Sequence, residues 1–542
     1  MKRTIWVLAL VCGVCAPAAA QHEHGGAGHE QLGTVNFETS CAPTVKADFN
    51  RAVALLHSFE FGPATETFNK VLERDPSCAI AYWGIALCQW TNPFGGIKTG
   101  PLLERGRVTV EKGLSTGKPS PRERAYIAAV AELYKDADKV SHRDRTLAYA
   151  RAMEAVQRDN PQDVEAKIFY ALALNQTALP TDKTYAVQLK VGAILEPLWK
   201  QYPDHPGLPH YIIHAYDSPA LAAKALDAAQ RYAKIAPSAP HALHMPSHTF
   251  TRVGYWKESV ETNIASEKTS LDQNVYGEAL HAMDYQEYAY LQMAQDKKAA
   301  AVTERMPSVL AKWDPAAFSG AATGFAGGYA AAAIPARYAL ERGAWSDAAA
   351  LPLPKPTVPQ ADAITHFARA LGAARSGKPA DARADIEKLA ALRDALKAKN
   401  DAYWTEQVDI ERRVAEAWVA FAQGQKSEGI QAMRAAADAE DATDKAAVSP
   451  GPLAPARELL GEMLLEGGDA QAALVEFEAT MKKEPGRFRG AYGAARAAEA
   501  AGDQAKTREY YTKVLEIART ADSNRPELER ARTFAKTRSM ER

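Results

Sequence analysis

The sequence predicts an all-α protein built from stacked pairs of antiparallel helices, that is, a helix-pair solenoid. Alternating runs of β-branched residues, which are typical of strands, are almost absent, while Ala, Glu, Lys and Leu dominate. A glycine followed five positions later by a small residue recurs along the chain. At two places these glycines are 34 residues apart, a spacing that is typical of repeat architectures.

The recurring unit reads as two helices joined by a tight turn. Its glycine permits the turn, its small residue lets the two helices approach closely, and a proline ends the second helix. The glycines and their followers are Gly254/Ser259, Gly343/Ala348, Gly377/Ala382/Ile386, Gly424/Gly429/Met433, Gly468/Ala473/Phe477 and Gly502/Thr507/Tyr511. The prolines at matching offsets are Pro76, Pro161, Pro203, Pro237 and Pro485.

This pattern resembles the tetratricopeptide repeat (TPR) family, with about eight or nine degenerate units over residues 45–520. The best matches are Ala64-Phe68-Pro76 and Gly461-Leu464-Gly468-Ala473-Phe477-Pro485. The strings HSFEFGPA, DPSCAIAYWGIA, HYIIHAYDSP, HALHMPSHTFTRVG and EALHAMDY resemble exported bacterial TPR proteins over roughly residues 35–300. The resemblance implies a superhelix with a concave groove and an exported protein, and it implies no particular activity. The alternative is an unrelated helical bundle rich in Ala.

The predicted domain organisation begins with an export signal in residues 1–20. Lys2 and Arg3 precede an apolar stretch, and the small residues at 18–20 are typical of a cleavage site. A His/Gly-rich flexible tail follows in residues 21–40, then an N-terminal TPR-like solenoid over 41–350, a Pro-rich linker over 351–360 and further TPR-like repeats over 361–542. The mature chain is therefore expected to be exported, either periplasmic or extracellular.

Charge and hydropathy argue against two classes of protein. The chain has 65 Lys and Arg against 66 Asp and Glu, so it lacks the basic field that a nucleic-acid binder needs. After the N-terminus no apolar run reaches the roughly 18 residues that a membrane span requires. We therefore expect no nucleic-acid partner and no transmembrane segment after signal cleavage.

Three cysteines follow the predicted signal: Cys41, Cys78 and Cys88. Cys78 and Cys88 lie ten residues apart on a predicted helix, about 15 Å, whereas bridged Cα atoms lie within about 7 Å. Cys41 is therefore paired with one of them or with neither. In the TPR-like register, Cys41 and Cys78 both precede first helices of successive repeats, whose ends are neighbours. The resemblance thus favours a Cys41–Cys78 disulfide and a free Cys88.

The histidines are concentrated in one segment: six of the 13 fall between residues 205 and 248. His210 and His214 are four residues apart, as are His244 and His248, and residues four apart share one helical face. The two pairs are offset by 34 residues, so they occupy equivalent positions in consecutive repeats. In TPR proteins these positions face the concave groove, so the resemblance implies that all four imidazoles meet there.

The double spacing predicts one transition-metal site formed by His210, His214, His244 and His248. Neutral imidazole binds zinc, copper, iron and nickel. No Glu lies within either His-x-x-x-His motif, so the general base of the zincins is missing. Candidates for additional ligands, or for residues that support the ligands, are Asp204, His205, Asp217, His241, Glu278, His281 and Asp284. The alternative is a metal-free histidine cluster that binds a ligand or stabilises the fold.

Two functional hypotheses follow. In the first, an exported TPR scaffold binds a peptide, a protein or a small ligand in its groove, beside the metal site. Trp83 and Trp90 fall at groove positions in this register, with ordinary packing as the alternative. In the second, the protein is a metal-dependent hydrolytic or redox enzyme, which requires an open coordination position and a nearby acid or base. The remaining single histidines, His57, His142 and His366, are interpreted as structural.

Overall fold

A computed structural model describes residues 30–98, 100–316, 320–322, 325–355 and 358–540, with side chains to residue 536. The predicted signal peptide and residues 21–29 of the predicted tail lie outside the described residues. From Gln31 onward the chain forms one compact unit. The described residues are helical with no strand, which confirms the predicted all-α class.

The helices form pairs of neighbours along the chain, and each helix packs against the next. The first half comprises α1 Lys46–His57, α2 Phe61–Arg74, α3 Ile80–Trp90, α4 Pro101–Ser115, α5 Pro121–Ala131, α6 His142–Asp159, α7 Val164–Asn175, α8 Ala186–Gln201, α9 Gly207–Ala215, α10 Leu226–Ile235, α11 Pro240–His244, α12 Pro246–Val253 and α13 Trp256–Asp272. The second half comprises α14 Tyr276–Gln292, α15 Asp296–Leu310, α16 Ala326–Leu340, α17 Trp345–Ala349, α18 Pro359–Arg375, α19 Arg383–Ala398, α20 Ala402–Ala422, α21 Lys426–Asp441, α22 Ala456–Glu466, α23 Ala470–Lys483, α24 Phe488–Ala500, α25 Gln504–Ile517 and α26 Pro526–Met540. Short 3-10 helices cover Pro43–Val45, Ala222–Ala225 and Pro379–Ala382.

The glycines and prolines of the recurring sequence pattern lie at the ends of these helices. Each of the six pattern glycines lies in a turn with φ between 66° and 93°, a conformation that favours glycine. Each of the five pattern prolines lies two residues after the end of a helix. The helix pairs are therefore bounded where backbone sterics require it.

Phe59 is an exception to the glycine rule and matters for the site. It lies in the turn between α1 and α2, yet its φ is +57°. A bulky side chain in this left-handed region costs free energy, and such strain persists only where the surroundings hold it.

Helix α14 runs through the centre of the protein. All sixteen residues from Gly277 to Gln292 are buried. It packs against α13, α15 and α16, and also contacts α11 and α24, which come from distant parts of the chain. Polar groups on α14, including His281, Asp284 and Gln286, must therefore find partners inside the protein.

The cysteines adopt the predicted arrangement. Cys41 and Cys78 form a disulfide, with their Cα atoms 4.8 Å apart. Cys88 is free and buried, and burial raises the pKa of its thiol to about 12. Among the described residues, no helix is both long and apolar enough to cross a membrane.

Candidate metal centre

Six buried or half-buried histidines from four neighbouring helices form one continuous cluster, which we call the six-histidine cluster. Helix α9 supplies two members, α11 two, and α12 and α14 one each; they are His210, His214, His241, His244, His248 and His281. Helices α11 and α12 are separated only by Met245, which keeps helical dihedral angles, so His244 and His248 still share a face.

The first histidine triad comprises His210, His214 and His241. The ring centroid of His210 lies 4.9 Å from that of His214 and 5.0 Å from that of His241. One ring nitrogen from each of the three lies within 4.8 Å of the other two. Small rotamer changes would let all three nitrogens bind one ion.

The second histidine triad comprises His244, His248 and His281. The His244 ring centroid lies 5.0 Å from that of His248 and 4.4 Å from that of His281. The Nε2 atoms of His244 and His248 are only 3.0 Å apart. The second triad also adjoins the first, because the His214 and His248 centroids are 5.9 Å apart.

Hydrogen bonds behind the second triad fix where its lone pairs point. The Nδ1 atom of His244 lies 2.7 Å from Asn263 Oδ1, and the Asn263 amide nitrogen donates to the Ser259 carbonyl, which identifies Oδ1 as the acceptor. The Nδ1 atom of His248 lies 2.9 Å from the Asp217 carboxylate. Both Nδ1–H groups therefore donate, and both Nε2 atoms carry lone pairs that face each other.

The first triad has the same property at His210. Its Nδ1–H donates to the backbone carbonyl of His57 at 2.5 Å, and a carbonyl can only accept. The lone pair of His210 Nε2 therefore points into the cluster. Among the described residues, His210 Nε2, His214 Nε2 and both ring nitrogens of His241 are buried without a hydrogen-bond partner. Such unsatisfied groups are costly, so they call for an explanation.

The imidazoles are held neutral by their surroundings. Burial, reinforced by neighbouring imidazoles, lowers the pKa of His210, His214 and His244 well below its ordinary value. Burial also lowers the pKa of His281 to about 3. Neutral imidazole is the form that binds metal, so these residues need not lose a proton at neutral pH.

Aromatic rings enclose the cluster. The strained Phe59 places its ring centroid 4.4 Å from that of His210, and Phe94 lies 4.4 Å from His214. Tyr285 packs beside the second triad, 4.7 Å from His244, and its hydroxyl donates away from the cluster to the Ala447 carbonyl at 3.0 Å. The site is therefore walled by apolar surface.

Two carboxylates flank the cluster, and they differ in their surroundings. Glu278 Oε2 lies 3.7 Å from His241 Nδ1. Asp217 accepts from His248 and from Arg252 Nε at 2.9 Å. Burial alone would raise the pKa of Asp217, but Lys445 and Arg252 hold it well below its usual range. Asp217 therefore orients a histidine, and Glu278 lies beside the ring of His241, whose backbone amide donates to a further buried carboxylate, Glu60, at 3.2 Å.

The structure places two of the other predicted candidates elsewhere. Asp284 does not face the histidines; it pairs with the buried Arg337, whose Nε lies 3.0 Å away. His205 faces Glu165 instead of the cluster, at 3.1 Å. The site that sequence analysis assigned to one ion is arranged as two triads, which use His241 and His281 alongside the four phased histidines.

His205 belongs to a second buried group, with Glu165 and His57, which we call the glutamate-bridged pair. Glu165 accepts from His57 Nε2 at 2.9 Å as well as from His205 Nε2. The outer nitrogens are also used: His57 Nδ1 accepts from the Tyr211 hydroxyl at 3.0 Å, and His205 Nδ1 accepts from the Gly207 amide at 3.2 Å. Every ring nitrogen of the pair has a partner.

The predicted groove aromatics lie in the core. Trp83 is fully buried, with its ring centroid 4.9 Å from that of Phe169. Trp90 is also buried and stacks on His142, with centroids 5.2 Å apart. Their burial favours the packing alternative over a surface that binds a ligand.

Sequence analysis missed the groups that support the ligands. Asn263, the carbonyl of His57, Phe59 and Tyr285 are all far from the histidine motifs in sequence. The local signals were the string HSFEFGPA, which contains His57 and Phe59, and the string EALHAMDY, which ends in Tyr285. The chain matches no protein-family model and none of the curated proteins compared with it.

Proposed function

We propose that this protein binds transition-metal ions in the six-histidine cluster. The scaffold is proposed to be a TPR-like solenoid of about eight or nine repeats that is exported to the periplasm or the exterior, on the basis of the sequence pattern and the N-terminal signal. The disulfide supports an oxidising compartment.

The observation that carries the proposal is the 3.0 Å approach of His244 Nε2 to His248 Nε2. Asn263 and Asp217 accept hydrogen bonds from the Nδ1–H groups of His244 and His248. The Nε2 lone pairs of the two histidines therefore face each other inside the protein. That arrangement is repulsive unless a proton or a metal ion lies between them, and burial, which lowers the pKa of His248, disfavours the proton. With an ion about 2.0 Å from each nitrogen, the nitrogen–metal–nitrogen angle would be about 97°. The two rings need to move apart only slightly for this angle to reach the tetrahedral value.

The arrangement also has the usual design of a protein metal site. Metal-binding histidines donate their second ring nitrogen to a carboxylate, an amide or a carbonyl, which fixes the tautomer and the ring orientation. Asp217, Asn263 and the His57 carbonyl take these three roles. The all-imidazole set suits zinc, copper, iron or nickel, and it does not suit magnesium or calcium, which prefer oxygen ligands.

Metal analysis of the untagged full-length protein tests the proposal. Chelator-treated protein should take up copper or zinc tightly, and its thermal midpoint should rise when metal is added, because binding to the native state alone stabilises it. The His244→Gln variant should lose at least about tenfold in affinity.

His366→Gln is the matched control, because His366 is also buried but bonds to Asp385, outside the cluster. Its metal affinity should equal that of the parent protein. The proposal is wrong if the parent protein takes up no metal and gains no stability from copper or zinc. Equal metal affinity in His244→Gln and the parent protein would also contradict it.

A further inference from the structure

We infer that the six-histidine cluster is a dinuclear copper site, with one ion held by each histidine triad and a small ligand bridging the two ions. This inference rests on the proposed function and extends it from metal binding to the number of ions, their identity and the ligand class.

The grouping of the nitrogens argues for two ions. Within each triad, one ring nitrogen from each histidine lies within 4.8 Å of the other two, and the mutually close sets are these two triads. A single ion could not use six ligands drawn from both sets without large movements of helices that are packed on all sides. Three ligands per ion match the number that open metal sites take from the protein.

The position of the triads argues that the two ions are neighbours. Two contacts join the triads: the His214 and His248 centroids are 5.9 Å apart, and those of His241 and His244 are 6.0 Å apart. His241 and His244 also lie on the same short helix, α11. Each ion would keep open positions, and the open positions of both would face the space between the triads.

The charges around the cluster favour copper. Imidazole binds a metal ion as a neutral ligand, and the buried carboxylates next to the cluster, Asp217, Glu278 and Glu60, are accompanied by the cations Arg252 and Lys445. Two dications would bring four positive charges into a buried, nearly neutral region, which is costly. Two Cu(I) ions bring only two, and Cu(I) accepts three ligands. In the oxidised state, imidazole sites also bind Cu(II) above the other divalent first-row metals.

The walls of the cluster set the size of the bridging ligand. Phe59 and Phe94 pack on the first triad, and Tyr285 packs beside the second. The members other than His214 are each at most 6% exposed. This burial favours a bridging ligand of two or three atoms, such as dioxygen or azide, over a peptide or a sugar.

The test is to count copper in the full chain and to probe its coupling. The protein is loaded anaerobically with Cu(I), counted by native mass spectrometry, then oxidised with ferricyanide in the presence of azide. The parent protein should hold two ions, and most of the copper should be EPR-silent, because a bridging ligand couples two Cu(II) spins. His241→Gln and His281→Gln, each of which disables one triad, should each hold one ion with a full EPR signal.

Circular dichroism of both variants confirms that they are folded, and His205→Gln, which lies outside the cluster, should still hold two coupled ions. Saturation of the parent protein at one copper ion would overturn the dinuclear site while leaving the proposed function intact. Two ions that each give a full EPR signal with azide would overturn the bridge. Binding of no metal at all, copper or zinc, would overturn both proposals.

Discussion

The protein contains two buried histidine groups that touch each other yet differ in their hydrogen bonding. In the glutamate-bridged pair, every ring nitrogen has a protein partner. In the six-histidine cluster, four ring nitrogens have none among the described residues, and two others face each other across 3.0 Å. His57 joins the two groups. Its side chain donates to Glu165 in the glutamate-bridged pair, and its backbone carbonyl accepts from His210 in the six-histidine cluster.

Under the proposed function, this difference separates a structural histidine group from a metal-binding one. A buried polar group that is fully paired stabilises the fold, whereas one left unpaired costs free energy until something binds it. Histidine content alone does not distinguish the two histidine groups, because each contains at least three side chains whose nitrogen or oxygen atoms are close enough together to bind one metal ion. The tautomer that each neighbour imposes does distinguish them.

Acid gives the largest expected difference between the groups. In the metal-free protein, five cluster histidines have a pKa that is lowered by burial, against one in the glutamate-bridged pair. The unfolded chain therefore binds more protons than the native state below about pH 6.5, and stability falls as pH falls, by up to about 1.4 kcal/mol per pH unit for each histidine.

Urea denaturation of the metal-free protein between pH 7.5 and 5 measures this slope. The double variant His244→Gln/His248→Gln should have a clearly shallower pH dependence than the parent protein. Glu165 does not confuse the result, because its pKa is lowered by His205 and His57 despite burial, so its contribution is lost only in stronger acid, below about pH 4.3. The difference between the two slopes is the test, because burial also raises the pKa of Glu411 to about 8 and of Glu440 to about 7, and these groups add stability as pH falls. Equal slopes in the double variant and the parent protein would contradict the assignment of neutral buried imidazoles.

Removing the carboxylate of Glu165 should break the satisfied group. Glu165→Leu leaves two buried N–H donors unpaired, at about 1–3 kcal/mol each, and should lower the free energy of unfolding without changing the number of bound metal ions. Glu165→Gln is the control. The Gln amide oxygen can accept from His205, and the amide nitrogen can donate to His57 Nε2. His57 would then carry its proton on Nδ1 and donate it to the Tyr211 hydroxyl. Chemical denaturation with metal analysis checks both; equal losses in the two variants would contradict the hydrogen-bond assignment.

Asn263 should matter for metal affinity through the tautomer of His244. Asn263→Leu removes the acceptor of His244 Nδ1–H and should weaken binding in the second triad by about 10–100-fold. Asn263→Asp keeps an acceptor and should retain tight binding. Competition titration with a chromophoric chelator measures both affinities. If the Leu variant binds as tightly as the parent protein, the tautomer is not controlled by Asn263.

The smallest expected effect completes the comparison. His241→Gln in the metal-free protein should change the free energy of unfolding by less than about 1 kcal/mol, because neither ring nitrogen of His241 makes a hydrogen bond and the ring loses only the 3.7 Å approach of Glu278 to Nδ1. His205→Gln should cost about 1–3 kcal/mol, because both nitrogens of His205 are bonded. Denaturant midpoints of the two variants, measured in chelator, check the ranking; the reverse order would contradict it.

Much of the fold could be predicted because its signals are local. Glycine and proline act on their own backbone, so Gly468 and Pro485 marked a turn and a helix end without knowledge of the rest of the chain. The Cys41–Cys78 disulfide followed from the order of helices in the repeat register. The two His-x-x-x-His motifs could be recognised because the spacing of four within each motif matches the helical period and the spacing of 34 between them matches the repeat length.

The remaining site groups depend on tertiary contacts that break the repeat. His281 lies on α14. It follows His248 by 33 residues and His244 by 37, so the 34-residue spacing that relates the two His-x-x-x-His motifs does not predict it. Asp284 looked like a candidate ligand, but Arg337, which is 53 residues away, takes its carboxylate. Asn263 resembles any polar residue in a helix until its distance to His244 is known. No spacing rule within one sequence contains these partners.

The hydrogen bond from His210 to the His57 carbonyl spans 153 residues, and this separation governs when the centre can exist during synthesis. Both groups are present in the chain once residue 210 has been added, but the second triad is complete only after α14 has been made. The complete centre therefore forms only after long-range folding, which is slow compared with helix formation. Ions that reach the chain earlier would meet loose histidine pairs with poor selectivity. Under the proposed function, metal loading must follow folding, so the ion would be selected in the compartment where the chain folds.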